Sequence, residues 1–288
     1  MQKIIQKLKE QSFTRIVKIL DYRYGLGKLE LLFACNWFNP LATLYLNLRS
    51  FPIKQAFRFP VFVYGHPKFY CLSGTMKVEG KVNTGMIKFN KTQPGAPSNM
   101  SVQSEIFNIG LLIFKGKGTI GTGTKIFITD QSVLTIGKNF KIADFCNIGC
   151  FTRIIIGDQC RIAHRCQILD SNYHYIANFN KLSIPRYSHP ITLGKGCWIC
   201  NSSTITGGAK LPNFTIIGSN SLVNKDFSTS PESSIIAGIP AKFIATNFRR
   251  VENKDTILEL NDFFRKNIDC EYYSIPNHYS IDDYSLLK

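Results

Sequence analysis

Moving a proton near neutral pH calls for a side chain that titrates there, and histidine, with an unperturbed pKa of about 6.5, suits the task. The 288-residue chain has five histidines. His66 and His278 lie outside the periodic part of the sequence described below, and His164 sits two positions after one of its anchors. His174 and His189 fall in a stretch of about twenty residues, 169–190, from which the periodicity is absent. An excursion of that length from a compact fold is more often functional than idle. By residue type alone, a loop histidine is more often an ordinary surface residue than a base. Asp170-Ser171-Asn172-Tyr173 leads directly into His174. Asp170 either orients an imidazole or an acceptor, or it makes the turn, as Asp before Ser-Asn commonly does. Lys181 and Arg186 are cations that could hold an anionic sugar or a phosphate, with a solvated loop as the alternative. Tyr173 and His189 are further candidate acceptor contacts, although His189, next to Pro190, also fits a structural role in the turn that re-enters the fold.

The elements that must position these residues announce themselves by spacing. Leu193, Ile199, Ile205, Leu211, Ile217 and Val223 recur every sixth residue, as do Ile136, Ile142, Ile148 and Ile154 and, after a slip of two, Ile156, Ile162 and Ile168. This period belongs neither to a helix nor to simple strand alternation, and it marks a repeat architecture. Small residues follow four positions after most anchors, at Cys146, Thr152, Cys160, Cys166, Cys197, Ser203, Ala209, Thr215 and Ser221. One large and one small inward position per six residues describes a coil of short parallel strands with an aliphatic axis. Glycine follows the anchor at Gly137, Gly149, Gly157, Gly194 and Gly218, which suits either an unusual φ or a close approach of backbone or ligand.

The pattern resembles the hexapeptide-repeat acyltransferases over roughly residues 105–245, and within them the sugar O-acetyltransferases that decorate bacterial polysaccharides. The motifs that carry the resemblance are Trp198-Ile199-Cys200, Gly208-Ala209-Lys210-Leu211, Ser221-Leu222-Val223-Asn224-Lys225-Asp226 and Ala237-Gly238-Ile239-Pro240-Ala241-Lys242. Cys200 and Ser219-Asn220 depart from the usual glycine and alanine-glycine, and Cys200 narrows the space for a pantetheine arm. The resemblance implies an all-β fold, a left-handed parallel β-helix that works as a homotrimer with sites shared between subunits. It implies acetyl-CoA as donor, a saccharide acceptor, and His174 as the catalytic base. It places Asn147 near the thioester and Trp198 in the groove between subunits. Backbone groups at Asn201 and Ser219 would lie along the pantetheine arm, in a groove that the Gly208 motif also borders. Asn224 and Lys225 match a pair beside the adenine and pyrophosphate, and Lys242, after Gly238 and Pro240, matches a basic residue near a cofactor phosphate. N-acetylation of an amino sugar is the alternative that uses the same base and donor. A zinc hydratase on the same fold would need a histidine within a few residues of His174, and no Cys-x-x-Cys pair is repeated, so no metal is expected. A β-helix scaffold without catalysis is the non-enzymatic alternative.

Composition sets the remaining bounds. The chain is 44% hydrophobic and carries a formal net charge of +16, half of it within residues 1–70. Basic residues from Lys3 to Lys18 interleave with Ile4, Ile5, Leu8, Ile16 and Val17 as in an amphipathic helix, either packed on the repeat or lying on an anionic membrane surface. No nucleic-acid reader motif accompanies the charge, so nucleic acid is not an expected partner. No secretory signal is visible, and the apolar stretch Leu29–Leu48 is interrupted by Asn36, Asn39, Pro40 and Asn47, so a cytoplasmic enzyme is expected, with the inner face of the membrane as its possible site of work. The domain organisation expected is a mostly helical segment over 1–70, the β-helix over 71–245 with regular repeats from about 105, and a helix with an acidic tail over 246–288.

Overall fold

The computed structural model describes residues 36–92, 102–276 and 280–285. The basic stretch from Lys3 to Lys18 lies outside them. Successive short strands turn through three faces and return to the first, so that each strand hydrogen-bonds in parallel to the strand one coil earlier. The faces hold nine, seven and six strands. Among the described residues one neighbouring pair of strands is antiparallel, Ile235–Gly238 with Ala241–Ala245, where a hairpin closes the end of the nine-stranded face. The late coils are eighteen residues long, as Trp198 pairing with Ile216 shows. Earlier ones take twenty, from Lys141 to Arg161, or twenty-two, from Thr119 to Lys141.

All thirteen six-residue anchors point inward and are at most 4% exposed. Both Ile154 and Ile156 belong to the strand Arg153–Ile156, so the slip of two is a strand long enough to place two residues in the core. The small positions are buried as well, Thr152 excepted. Burial of this aliphatic column supplies the main favourable term of the fold.

The corners divide the two roles that glycine could have played. Gly137, Gly157 and Gly194 do not have positive φ; a Cβ on Gly137 would stand 2.4 Å from the Asp158 nitrogen, and one on Gly194 2.6 Å from that of Asn213. They are there because coils approach closely. Positive φ falls instead on the third residue after the anchor, at Phe145, Arg165, Ser202 and Asn220. Each of these donates its N–H to a carbonyl one coil earlier, Thr122, Asp144, His164 and Asn201 respectively.

Among the described residues strands begin at Val61–Val63, ten residues before the expected start of the β-helix at residue 71, and the first strand is sealed by side chains rather than by another strand. The helix Pro40–Ser50, capped by the Asn39 side chain, buries Thr43, Leu46, Asn47 and Ser50. The Asn47 amide donates to Val61 O at 2.7 Å and accepts from Val61 N at 3.1 Å, and Thr43 Oγ1 accepts from Val63 N. At the other end the helix Lys254–Lys266 forms where the sequence suggests one, with Asn253 as its N-cap. The irregular segment leading to it ties back through Arg161–Glu252 at 2.9 Å and through Arg249 over the Phe214 ring. None of the described helices is long and apolar enough to cross a membrane.

Cys146, Cys150, Cys160, Cys166 and Cys197 lie inside the column at no more than 1% exposure. Burial pushes the Cys150 thiol up to about 12 and that of Cys197 well above its usual value. Thiolate is the reactive form. Because all five are shielded from solvent, an alkylating reagent should label the exposed Cys270 in the native protein while these five stay unmodified until denaturant is added, as mass spectrometry of labelled peptides would read out.

Candidate active site

The strand Gln167–Leu169 ends the seven-stranded face of its coil, and the chain leaves the helix before resuming at Ile191–Leu193. The excursion is pinched at its base, where His189 N donates to Asp170 O at 2.8 Å and Ser171 bridges to Ser188. Re-entry keeps the register, since Ile191 pairs with Ile154 as though nothing had intervened.

Asp170 is fully buried at this junction. Its Oδ1 accepts from Phe151 N at 2.7 Å, and its Oδ2 accepts from Thr152 N, Thr152 Oγ1 and Arg153 N at 2.8–3.0 Å. The carboxylate thus ties the root of the excursion to the corner one coil earlier. All four of these hydrogen bonds go to that corner, and none joins Asp170 to the His174 imidazole among the described residues.

The next residues are set by that anchor. Tyr173 has φ +66°, in the left-handed region, held by a hydrogen bond from its N–H to Ser171 Oγ at 3.0 Å. Its ring meets Phe151 edge-on at 4.5 Å, and Phe151 continues a column through Phe127 to Phe107. Burial and the nearby Asp170 raise the Tyr173 hydroxyl above its ordinary pKa. A strained residue braced by an aromatic column sets where His174 begins. The His174 ring is exposed and has no hydrogen-bond partner among the described residues. A neutral imidazole in this state can accept a proton from a bound hydroxyl.

The remaining candidates separate into two groups. Lys181, Arg186 and His189 are exposed on the excursion with His174. Asn147 faces outward on the same seven-stranded face, in register with Gln167. Asn201 and Ser219 are exposed at the corner that enters this face, where the Asn201 side chain accepts from His164 N at 3.2 Å. Asn224 and Lys225 leave the last strand of the face, with the Lys225 ammonium 5.0 Å above the Phe227 ring. Gly208 has φ +89° and donates to His189 O, which brings it to the foot of the excursion. Trp198 lies on the nine-stranded face under Arg250, and Gly238, Pro240 and Lys242 are exposed on its terminal hairpin. Within one chain no hydrogen bond joins His174 to this second group among the described residues. Nor do those residues hold any cluster of three His, Cys, Asp or Glu side chains placed to bind a metal ion. The aromatic column went unread in the sequence, although Phe107 and Phe127 stand one coil apart.

No family model matches the chain. It is 26% identical over 147 residues to WbbJ of Escherichia coli K12, which is named as an O-acetyl transferase of lipopolysaccharide biosynthesis; the match spans 48% of this chain and 74% of that one. It is 26% identical over 191 residues to the galactoside O-acetyltransferase of the same organism, across 65% and 85% of the two chains. In sequence the chain is similar to these two O-acetyltransferases. Among solved structures, a hexapeptide-repeat acetyltransferase of Vibrio cholerae O1 biovar eltor, complexed with acetyl coenzyme A, is similar at a TM-score of 0.34 and 21% identity, over 39% of this chain and 60% of that one.

Removing the Asp170 carboxylate leaves three partly buried N–H groups and the Thr152 hydroxyl of the Phe151–Arg153 corner without this acceptor, at a cost of about 3 kcal/mol. Asp170→Ala should lower the denaturation midpoint and open the excursion to proteolysis, whereas His174→Ala should do neither. Equal stability of Asp170→Ala and the parent in a urea titration would contradict the anchoring role.

Proposed function

We propose that the protein is an O-acetyltransferase that moves an acetyl group from acetyl-CoA to a saccharide hydroxyl, on a left-handed β-helix assembled as a homotrimer with shared sites. The observation that supports it most is the exposed, unpartnered His174 imidazole on an excursion clamped by Asp170, in a chain related by sequence to two O-acetyltransferases.

A neutral His174 nitrogen takes the proton of the sugar hydroxyl as that oxygen attacks the thioester carbonyl carbon. The tetrahedral intermediate collapses with cleavage of the carbon–sulfur bond, and the imidazolium returns its proton to the departing sulfur. The products are an acetyl ester and free CoA thiol, with no acyl-enzyme. Backbone N–H groups stabilise the oxyanion. Asn147, Trp198, Asn201, Gly208 and Ser219 line the path of the donor's thioester and pantetheine, while Asn224, Lys225 and the Gly238-Ile239-Pro240-Ala241-Lys242 hairpin hold its nucleotide end. Trp198, Asn201, Ser219 and the hairpin lie away from the corner that carries the excursion, so the donor of one chain meets the His174 of a neighbour. Tyr173, Lys181, Arg186 and His189 contact the acceptor.

General-base catalysis is worth about 10²- to 10⁴-fold. His174→Ala should lower kcat by about that factor with acetyl-CoA affinity preserved, and His164→Ala and His189→Ala should cost far less; the measurement is thiol release from acetyl-CoA with an active acceptor sugar. Near-normal turnover of His174→Ala would remove it as the base.

A lysine–phosphate contact is made equally in the ground and transition states, and losing it acts on KM. Lys242→Ala should raise the KM for acetyl-CoA with little change in kcat, and a donor lacking the 3′-phosphate should not distinguish the variant from the parent. Collapse of kcat at unchanged KM would assign Lys242 elsewhere.

A further inference from the structure

Apart from Trp198, the outer surface of the nine-stranded face carries residues that the acetyl-transfer reading does not use. Lys88, Thr119, Lys141, Arg161 and Trp198 are register partners on five successive rungs. Lys117 stands beside Thr119, so each of the first four rungs contributes one cation. Rungs repeat at about 4.8 Å, and the column from Lys88 to Arg161 therefore runs about 14 Å along the coil axis.

Two adjoining cavities open onto this column. One, of about 300 Å³, is lined by residues that include Lys88, Lys117, Asn139, Lys141 and Arg161. The other, of about 180 Å³, shares Lys141 and Arg161 and continues to His164, Trp198 and Arg250. No acidic residue lines either cavity. Glu252, from the tail, neutralises part of the upper end, bonding Arg161 and Arg250. Among the described residues no carboxylate pairs with Lys88, Lys117 or Lys141. Burial, and then the Arg161 and Arg250 cations, push the Lys141 ammonium below its usual pKa. In the second cavity the His164 Nδ1 atom is buried with no hydrogen-bond partner.

Like charges on neighbouring strands destabilise a sheet. A column that stacks four of them over open cavities, with Glu252 and Asp144 acting on Lys141 only through space and no salt bridge to its lysines among the described residues, is built to meet anions. We propose that this face is a track for an acidic saccharide, an oligomer with one anionic group per sugar, laid along the coil axis with its anions on Lys88, Lys117, Lys141 and Arg161. The rung repeat is close to the length of one extended pyranose unit, so charge and spacing match together. Single-stranded nucleic acid fits less well. It needs exposed aromatic platforms, and the one ring on the column, Trp198, is half-buried with Arg250 above it. The proposal rests on the saccharide reading above and narrows its acceptor to the anionic class.

Titration calorimetry of the full chain at low salt tests it, with an oligogalacturonate, its neutral methyl ester and a single-stranded DNA of equal charge as probes. The oligogalacturonate should bind about ten-fold or more tightly than the ester, a preference that salt weakens. The triple variant Lys88→Gln, Lys117→Gln, Lys141→Gln, altered at exposed positions only, should lose that preference while its melting temperature and acetyl-CoA affinity stay those of the parent. Equal binding of acid and ester, an undiminished preference in the triple variant, or tighter binding of the DNA would each overturn the track. Failure of the two readings is separable. Acetylation of neutral sugars by a protein without the charge preference would sink the track alone, whereas charge-selective binding without acetyl transfer to any sugar would sink the enzymatic reading alone.

Discussion

The molecule depends on register between coils. Apart from the closing strand Ala241–Ala245, the strands pair in parallel from coil to coil, so an inward residue can stay inward only if each coil returns the chain to the same azimuth. The aliphatic column enforces this, since a slip by one residue would turn its side chains outward. Corners and outer faces are free of the constraint. That freedom lets an excursion of about twenty residues leave between Leu169 and Ile191 while Ile191 still lands on Ile154. It also shows why Asp170 is buried and fully bonded: the excursion must leave without prying apart the coil beneath it, and a carboxylate with four donors closes the gap.

What was legible in the sequence follows from the same division. The column was readable because its period repeats locally, within six residues. The function of the corner glycines was half readable: two physical reasons for a glycine were available, and only geometry separates close approach at Gly137 from the positive φ taken by Phe145 or Asn220. The start of the coil at Val61 was not readable, because its first strand is three residues long and its hydrogen bonds run to Asn47 and Thr43 rather than to another repeat. His174 stood out through the break in period. The role of Asp170 did not, since its partners lie seventeen to nineteen residues earlier and only stacking brings them near. The cationic column is hidden for a like reason. Its members sit about one coil apart in sequence and become a set only when the coils are piled.

Charge is distributed over this scaffold by face. The excursion joins its cations, Lys181 and Arg186, to a bare imidazole. The nine-stranded face concentrates cations at its early rungs, and the tail returns one carboxylate, Glu252, to the upper end, where Arg161 and Arg250 divide it. The tail is thereby part of the electrostatics of a surface whose strands it follows in the chain by many residues.

A stack of parallel strands has no intrinsic length, because each coil presents the next with the template it was itself built on. Here growth stops at both ends by different devices. At the first strand, the Asn47 amide and the Thr43 hydroxyl occupy the backbone groups of Val61 and Val63 that another coil would need. At the last, the nine-stranded face ends in a strand of reversed direction, Ala241–Ala245, on which a parallel rung cannot be laid. The two plugs keep copies of the chain from polymerising end to end into a fibre, and they do so independently of how many coils lie between them. The number of rungs, and with it the reach of any surface that runs along the axis, is therefore a quantity that evolution can lengthen or shorten one coil at a time.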